Sequence, residues 1–352
     1  MPLDRHPGEV DLLYPRPAEG EEWDPHLIHT NYFGFTVPEA ALGAFAYVRS
    51  HPAFPLCHGG VCFWSGVDNV DALDADFFDY EVSMPWPEID ESSLTTRNGL
   101  RLEFLEPGKR VRLLYESNDG RTRMDVTADA LTPMVARGHV MPGEDAFHDS
   151  TRASGGMEQI MRYTGTLVVE GTEYDVDATD VRDRSWNQIR EERQGAVAAP
   201  PVCWTPMYFG SDLALNQVSP ETHDTNPLWP EAYDIPPEKV RPVFGWTYSA
   251  DDDEALEIVR TRRDVQEIHP ILGMPTRQEI EMEDEKGRVR SFSGEALAAT
   301  DMPMWPNVNM RISVYRWADE QGRETHSSTQ EIWFDRYQRL LKTHRHSARV
   351  AG

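Results

Sequence analysis

Short runs in which apolar and polar residues alternate, each closed by turn residues, recur over both halves of this chain. No other feature narrows the fold as much. Val111, Leu113 and Tyr115 alternate, Ser117-Asn118-Asp119-Gly120 turns, and Met124 and Val126 return. Leu167 and Val169 lead through Glu170-Gly171 to Tyr174 and Val176. Ile280 and Met282 precede Asp284-Glu285-Lys286-Gly287, and Ile312 and Val314 precede Asp319-Glu320-Gln321-Gly322. A period of two places every second side chain on one buried face of a strand, and Asn, Asp and Gly tolerate the backbone angles of tight turns. Hairpins in both halves predict an all-β protein of sandwich or barrel type rather than alternating α/β.

The remaining organisation is read around these hairpins. The first ~25 residues, rich in Pro and Glu, predict an extended arm draped over the body. Pro38 to Ser50 predicts one early helix, with Pro38 in its first turn and Ala41, Leu42, Phe45 and Val48 at helical spacing. A Pro-rich passage from Ala198 to Pro242 reads as a connection between two β units, although Trp204, Tyr208 and Phe209 lie in it. A chain of 352 residues accommodates two domains, and the expected division is 1–195 and 196–352.

Composition excludes several functions. A net charge of -26 repels phosphate backbones and anionic lipid, and no segregated basic patch offsets it, so nucleic-acid binding is set aside. The N-terminus lacks the cationic flank and apolar run of a signal peptide, and no segment reaches the length of a membrane span; a cytoplasmic location is expected. Cys57, Cys62 and Cys203 form no CxxC pair and read as small buried hydrophobes. No G-x-G-x-x-G, P-loop, G-x-S-x-G or H-E-x-x-H stands in its required context, so no nucleotide, metal or other cofactor is expected.

The densest polar cluster runs from His148 to Arg190. Gly156-Met157-Glu158-Gln159 enters a hairpin, and Arg182-Asp183-Arg184-Ser185-Trp186 follows on its second strand. On adjacent strands, Glu158 or Gln159 and Asp183 would face one cavity. A carboxyl in an apolar, aromatic-lined interior loses solvation and holds a proton closer to neutrality, whereas a facing arginine favours the carboxylate. Asp183 is therefore an acid or a structural anchor according to where Arg182 and Arg184 point, and a strand sends that pair to the opposite face.

These segments, with the Gly165-to-Val176 hairpin, resemble uncharacterised bacterial members of the carotenoid 1,2-hydratase and AttH-like superfamily, whose relatives include kievitone hydratase and lipocalin-like Diels–Alderases. The resemblance spans residues 95–335. It implies two consecutive lipocalin-like antiparallel β-barrel or sandwich domains with a ligand cavity bounded by both, and chemistry without a redox cofactor. It also implies that Asp183 matches the position of an acid proposed for the hydratases. Asn187 stands where relatives commonly place Gly after the Trp, and Asp180 where a Gly often precedes the Arg-Asp pair.

The expected catalytic set is Asp183, Glu158 and His148, the last as a proton shuttle. The expected substrate wall is Gln159, Arg184, Trp186, Trp204, Tyr208, Trp246, Trp305 and Glu331. His26, His29, His51 and His58 show no metal-ligand pattern, and His344 and His346 read as a solvated tail. The leading expectation is a cofactor-independent lyase or isomerase, a hydratase, dehydratase or cyclase, acting on an apolar terpenoid, steroid-like or polyketide molecule. The alternative is a carrier of hydrophobic small ligands that performs no chemistry.

Overall fold

Alternation becomes strands throughout. In this computed structural model residues 10–137, 155–196, 200–221, 244–252 and 254–351 are described, with Tyr233 and Pro242, and residues 344–351 through their backbone alone. The N-terminal half contributes β1 Leu27–Val37, β2 Leu42–His51, β3 Leu56–Ser65, β4 Phe77–Pro85, β5 Glu88–Ile89 and β6 Ser93–Thr95. It continues with β7 Arg101–Glu106, β8 Arg110–Glu116, β9 Arg123–Ala130, β10 Val135–Arg137, β11 Gly155–Val169 and β12 Thr172–Ile189. These twelve strands form one large curled sheet in the order β4-β3-β2-β1-β12-β11-β9-β8-β7-β6-β5, with β10 added beside β11.

The second half closes into an eight-stranded antiparallel barrel: β13 Val202–Tyr208, β14 Ala214–Pro220, β15 Phe244–Tyr248, β16 Leu256–Ile268, β17 Pro275–Asp284, β18 Val289–Met302, β19 Val308–Asp319 and β20 Glu324–Phe334. A helix, α1 Asp335–Ala351, follows. The protein is all-β with lipocalin-like sheets. Each hairpin read from the sequence is present: β8–β9, β11–β12, β17–β18 and β19–β20. At the β11–β12 turn Glu170 and Gly171 have φ of 48° and 85°, the paired left-handed conformation that matches the twist of a two-residue hairpin.

Three readings are corrected. Pro38 to Ser50 is not a helix: Pro38–Ala40 makes one 3₁₀ turn, Ala41 reverses the chain at φ 47°, and β2 follows. The helical spacing misled because β2 is covered on both faces. Ala44, Ala46 and Val48 enter the core of the curled sheet, while Phe45 and Tyr47 face the barrel, so nearly every position is apolar and the period of two is hidden. The passage from Ala198 to Pro242 is not merely a connection, since it holds β13 and β14, the first two barrel strands. His344 and His346 belong to α1 rather than to a tail. Among the described residues no helix is long and apolar enough to cross a membrane.

Two cores follow from this two-sidedness. Phe33, Phe35, Leu113, Val126 and Tyr163 fill the curled sheet, and Tyr32, Ile160, Val181, Trp204, Trp246 and Ile332 fill the seam between the sheet and the barrel. The seam is thus a buried apolar interface, and its polar residues are the ones that require explanation.

Candidate active site at the seam

Strand β12 sorts the Arg-Asp-Arg segment. Asp183 lies opposite Tyr32 of β1 and Glu158 of β11, and all three project toward the barrel. Arg182 and Arg184 project the other way, under the N-terminal arm. Arg182 pairs with the buried carboxylate of Asp11 at 2.8 Å and donates Nε–H to Gln159 Oε1 at 2.9 Å. Arg184 donates to the Thr30 carbonyl at 2.9 Å and to the Leu13 carbonyl, and stacks 4.5 Å from the ring centroid of Tyr14. The charges flanking Asp183 in sequence are spent on holding the arm.

On the barrel side a cavity of about 70 Å³ opens against Asp183. The sheet contributes Thr30, Tyr32, Phe45, Tyr47 and Ser185, and the barrel contributes Trp204, Val218, Met304, Met310 and Ile332. The lining is mostly apolar, and Asp183 is 8% exposed there. A single water needs about 10–15 Å³, so the cavity holds several waters or the reacting end of a larger molecule. It is smaller than the roomy interior expected for a polycyclic substrate. Arg190, also on the wall, stacks 4.0 Å over the half-buried indole of Trp305, so the loop between β18 and β19 closes one side.

Glu158 is fully buried beside Asp183 and is engaged by the barrel. Trp204 Nε1–H and Trp246 Nε1–H donate to it at 2.9 and 2.8 Å, and Asn216 Nδ2–H donates at 2.7 Å. Three N–H donors from β13, β14 and β15 therefore converge on one carboxylate from β11. That geometry fixes the carboxylate and orients Trp204, the cavity wall.

Of the remaining expected residues, Trp204 and Trp305 are on the wall, and Trp246 stands behind it through Glu158. Tyr208 is half-buried at the end of β13 and packs on the seam core without reaching the cavity. Gln159, Arg184 and Trp186 lie on the far face of their strands. Gln159 donates to the carbonyls of Gly108 and Thr132, and Trp186 packs on Val10 and Met157 with its indole across Gly155. Glu331 points into the barrel and pairs with buried Arg263. His148 lies outside the described residues.

Of the early histidines, burial holds His29, His51 and His58 neutral. His29 is pushed down to about 3 by burial and by Arg184; its Nδ1 accepts from Asn187 N–H at 3.1 Å and its Nε2–H donates to the Pro15 carbonyl at 3.0 Å. Burial lowers His51 to about 3 and His58 to about 4, and their rings lie 4.8 Å apart. Among the described residues no three His, Cys, Asp or Glu side chains are grouped to hold a metal.

A family described as a domain of unknown function, DUF7064, matches residues 17–327. The chain belongs to DUF7064. No curated protein matches it. Among solved structures it is similar to an AttH-like protein from Nitrosomonas europaea, with a TM-score of 0.55 at 9% identity over 91% of this chain and 100% of that one. It is similar to CghA, with a TM-score of 0.53 at 11% identity over 92% and 96% of the two chains. Kievitone hydratase from Nectria haematococca aligns with a TM-score of 0.45 at 12% identity over 93% and 94%. The AttH-like fold read from the sequence is thus the fold of this DUF7064 chain.

Sequence reasoning singled out Asn187 and Asp180 without a role and missed Tyr32, Gln330 and Arg190 of the cavity wall. Asn187, one departure from the relatives, has φ 52°, so it occupies the left-handed conformation that suits Gly and that Asn tolerates best among larger residues. Asp180, the other departure, is 1% exposed and bonded to β20. Tyr32, Gln330 and Arg190 line the cavity from segments that carried no motif. A tyrosine in an alternating strand gives no sign of which cavity it faces until its partner strand is known.

Proposed function

We propose that this DUF7064 chain is a cofactor-independent lyase or isomerase that acts on an apolar small molecule at the seam. The observation that carries the reading is the apolar cavity with the Asp183 carboxylate in its wall and both flanking guanidinium groups turned away. A carboxylate so placed faces developing positive charge on a substrate carbon in a site of low dielectric, where its stabilising effect is larger than in water. It also stands ready to accept a proton from an attacking water or from a carbon next to the cation.

In this reading Trp204, Tyr32, Phe45 and Tyr47 surround the cation with aromatic faces, which attract positive charge without quenching it. Glu158 acts on Trp204 through the seam. The sheet and the barrel are treated as two units that divide between Ile189 and Val202, each supplying half of the wall. An extended terpenoid, steroid-like or polyketide substrate places its reacting end in the cavity and displaces the Met304–Trp305 loop with the rest.

The test is turnover of candidate alkenes and tertiary or allylic alcohols in water enriched with heavy oxygen, by native protein and by Asp183→Asn. Heavy oxygen in the product identifies hydration, and a rearranged skeleton without it identifies cyclisation. A loss of 10²-fold or more in kcat in the variant, with the ligand still bound, supports the assignment. Retained turnover removes Asp183. Tight binding of hydrophobic compounds with no conversion by either protein leaves the carrier reading in its place.

A further inference from the structure

We propose that Asp180, Ser328 and Tyr32 form a proton-delivery chain whose last member, the Tyr32 hydroxyl, protonates the substrate in the seam cavity. This rests on the reading of that cavity as a reaction site, and it assigns the acid that the site otherwise lacks. Asp183 then faces the cation instead of making it.

The chain crosses from sheet to barrel and back. Asp180 lies on β12 just beyond Phe33 and Arg182, the last register pair of β1 with β12, where its side chain meets β20. Ser328 N–H and Oγ–H donate to Asp180 Oδ2 at 2.8 and 2.5 Å, and Val181 N–H donates to Oδ1 at 2.8 Å. Tyr32 Oη–H donates to Ser328 Oγ at 3.4 Å. The Tyr32 ring lies on the cavity wall, 5.6 Å from the centroid of Phe45 and 5.4 Å from that of Trp204. Gly34 makes the approach possible, because a Cβ there would strike both the Tyr32 hydroxyl and Ser328 Oγ.

Every member is nearly water-free: Asp180 is 1%, Ser328 0% and Tyr32 4% exposed. Burial pushes Asp180 up to about 7, and its three donors pull it back only in part. Ser328 of β20 and Val181 of β12 bond Asp180, and Tyr32 of β1 and Tyr163 of β11 feel its charge; Gln330 of β20 and Asp183 act on Tyr32, and Arg182 acts on Tyr163. Burial raises both tyrosines above their ordinary value, with Asp180 adding to the effect, so both keep their protons while Asp180 titrates.

With Asp180 protonated the two side-chain bonds run in the reverse sense, from Asp180 to Ser328 to Tyr32, while the backbone N–H groups of Ser328 and Val181 still donate, and the Tyr32 O–H is released toward the cavity. In the step, the π pair of a substrate double bond forms a new C–H bond with the Tyr32 proton. Tyr32 Oη takes the Ser328 proton and Ser328 Oγ takes that of Asp180, leaving a carboxylate at Asp180 and a cation on the substrate. Water then adds to the cation and gives its extra proton to Asp183, or Asp183 takes a proton from the neighbouring carbon. The cycle closes when Asp183 loses that proton and Asp180 regains one. Tyr32 is the catalytic residue of this chain, and Asp180 and Ser328 act through it.

The test needs no substrate, so its failure and the failure of the proposed function are separable. Infrared difference spectra of the full chain, labelled with ¹³C at the aspartate carboxyl, are recorded between pH 5.5 and 8.5. The expected result is a carboxylic-acid C=O band that disappears with a midpoint near 7, is absent in Asp180→Asn, and shifts in frequency and midpoint in Ser328→Ala and Tyr32→Phe. A merely structural Asp180–Ser328 contact would respond to Ser328→Ala and ignore Tyr32→Phe, and that outcome overturns the chain. So does the absence of any aspartic-acid band across this range, which requires no variant to fold. Inactivity of Asp183→Asn, or of the native protein, leaves the band untouched.

Discussion

Replacing Asp180 by Asn has an effect on stability whose sign depends on pH. The folded carboxyl is pushed up to about 7 from an ordinary 3.8 by burial. Below 3.8 it is protonated in both the folded and the unfolded chain. Between 3.8 and 7 the unfolded chain releases the proton while the folded chain keeps it, so stability falls as pH rises, by ~1.4 kcal/mol per pH unit, and levels off above 7. The whole interval corresponds to about 4 kcal/mol, of which about 3 kcal/mol lies between pH 5 and 8. Asparagine has no proton to lose there. It presents an NH₂ group where one carboxylate oxygen accepted a bond, at a pH-independent cost of about 1 kcal/mol. Urea midpoints of native and Asp180→Asn protein, followed by tryptophan fluorescence and far-UV circular dichroism, should therefore diverge in favour of the variant by about 3 kcal/mol from pH 5 to pH 8. A difference that stays constant over that range, or a variant that weakens further as pH rises, refutes the assignment of a neutral buried acid to this position.

The other predictions concern the rest of the seam and the barrel. Glu158→Gln sets an NH₂ group against converging N–H donors of Trp204, Trp246 and Asn216, and should lower stability by about 2–4 kcal/mol in urea titrations, with a red shift in tryptophan emission as the seam loosens. Glu331→Gln removes the Glu331 charge from the Arg263 guanidinium, 1% exposed, and should cost about 3–5 kcal/mol in the same assay; a neutral result would mean that other groups or water offset the lost charge. Gly34→Ala displaces the Tyr32 hydroxyl from Ser328, and should lower turnover at least tenfold while Tyr32→Phe in the same background adds nothing more. Strong additivity would place Tyr32 outside the chain.

The hairpins were legible because their apolar positions alternate against solvent on one side, as in β8 and β9, where Val111, Leu113 and Tyr115 are buried and their neighbours are not. β1 and β2 were not legible for the opposite reason. They carry a core on each face, so residues such as Phe45 and Ala46 are both buried and the period of two is lost. The same two-sidedness divided the expected site residues. Alternation correctly separated Asp183 from Arg182 and Arg184, but it could not say that Gln159 and Trp186 lie on the arm side, because that depends on which strands pair and in what register. Part of the barrel reverses the usual assignment: β13 and β14 turn Trp204 and Val218 outward to the seam and Thr205, Gln217 and Ser219 inward, while Met207 and Leu215 on the same strands join the apolar core inside it. A reading that places apolar residues inside a barrel by default misplaces both sets.

That reversal explains why the chemistry collects where it does. An outward apolar face on the barrel must be covered, and the curled sheet covers it with β1, β2, β11 and β12, so each polar group on that face of the sheet is taken out of water at once. A carboxylate in such a place is retained only if it is bonded or if its charge is offset by what binds there. Glu158 meets the first condition with three N–H donors, and Asp180 meets it in part and answers the remainder by holding a proton near neutral pH. Asp183, on the cavity wall opposite Tyr32 in the strand register, stands where a cationic intermediate in the cavity would also meet its charge. Three carboxyl groups within one strand pair thus hold three different environments, an arrangement that separates acid from base. If Asp180→Asn and Asp183→Asn abolished turnover at different steps, proton uptake by the substrate in the first and loss of the cation in the second, solvent deuterium would enter the substrate in the Asp183 variant alone. Deuterium entering in neither variant, or in the Asp180 variant as well, would show that one carboxyl performs both tasks.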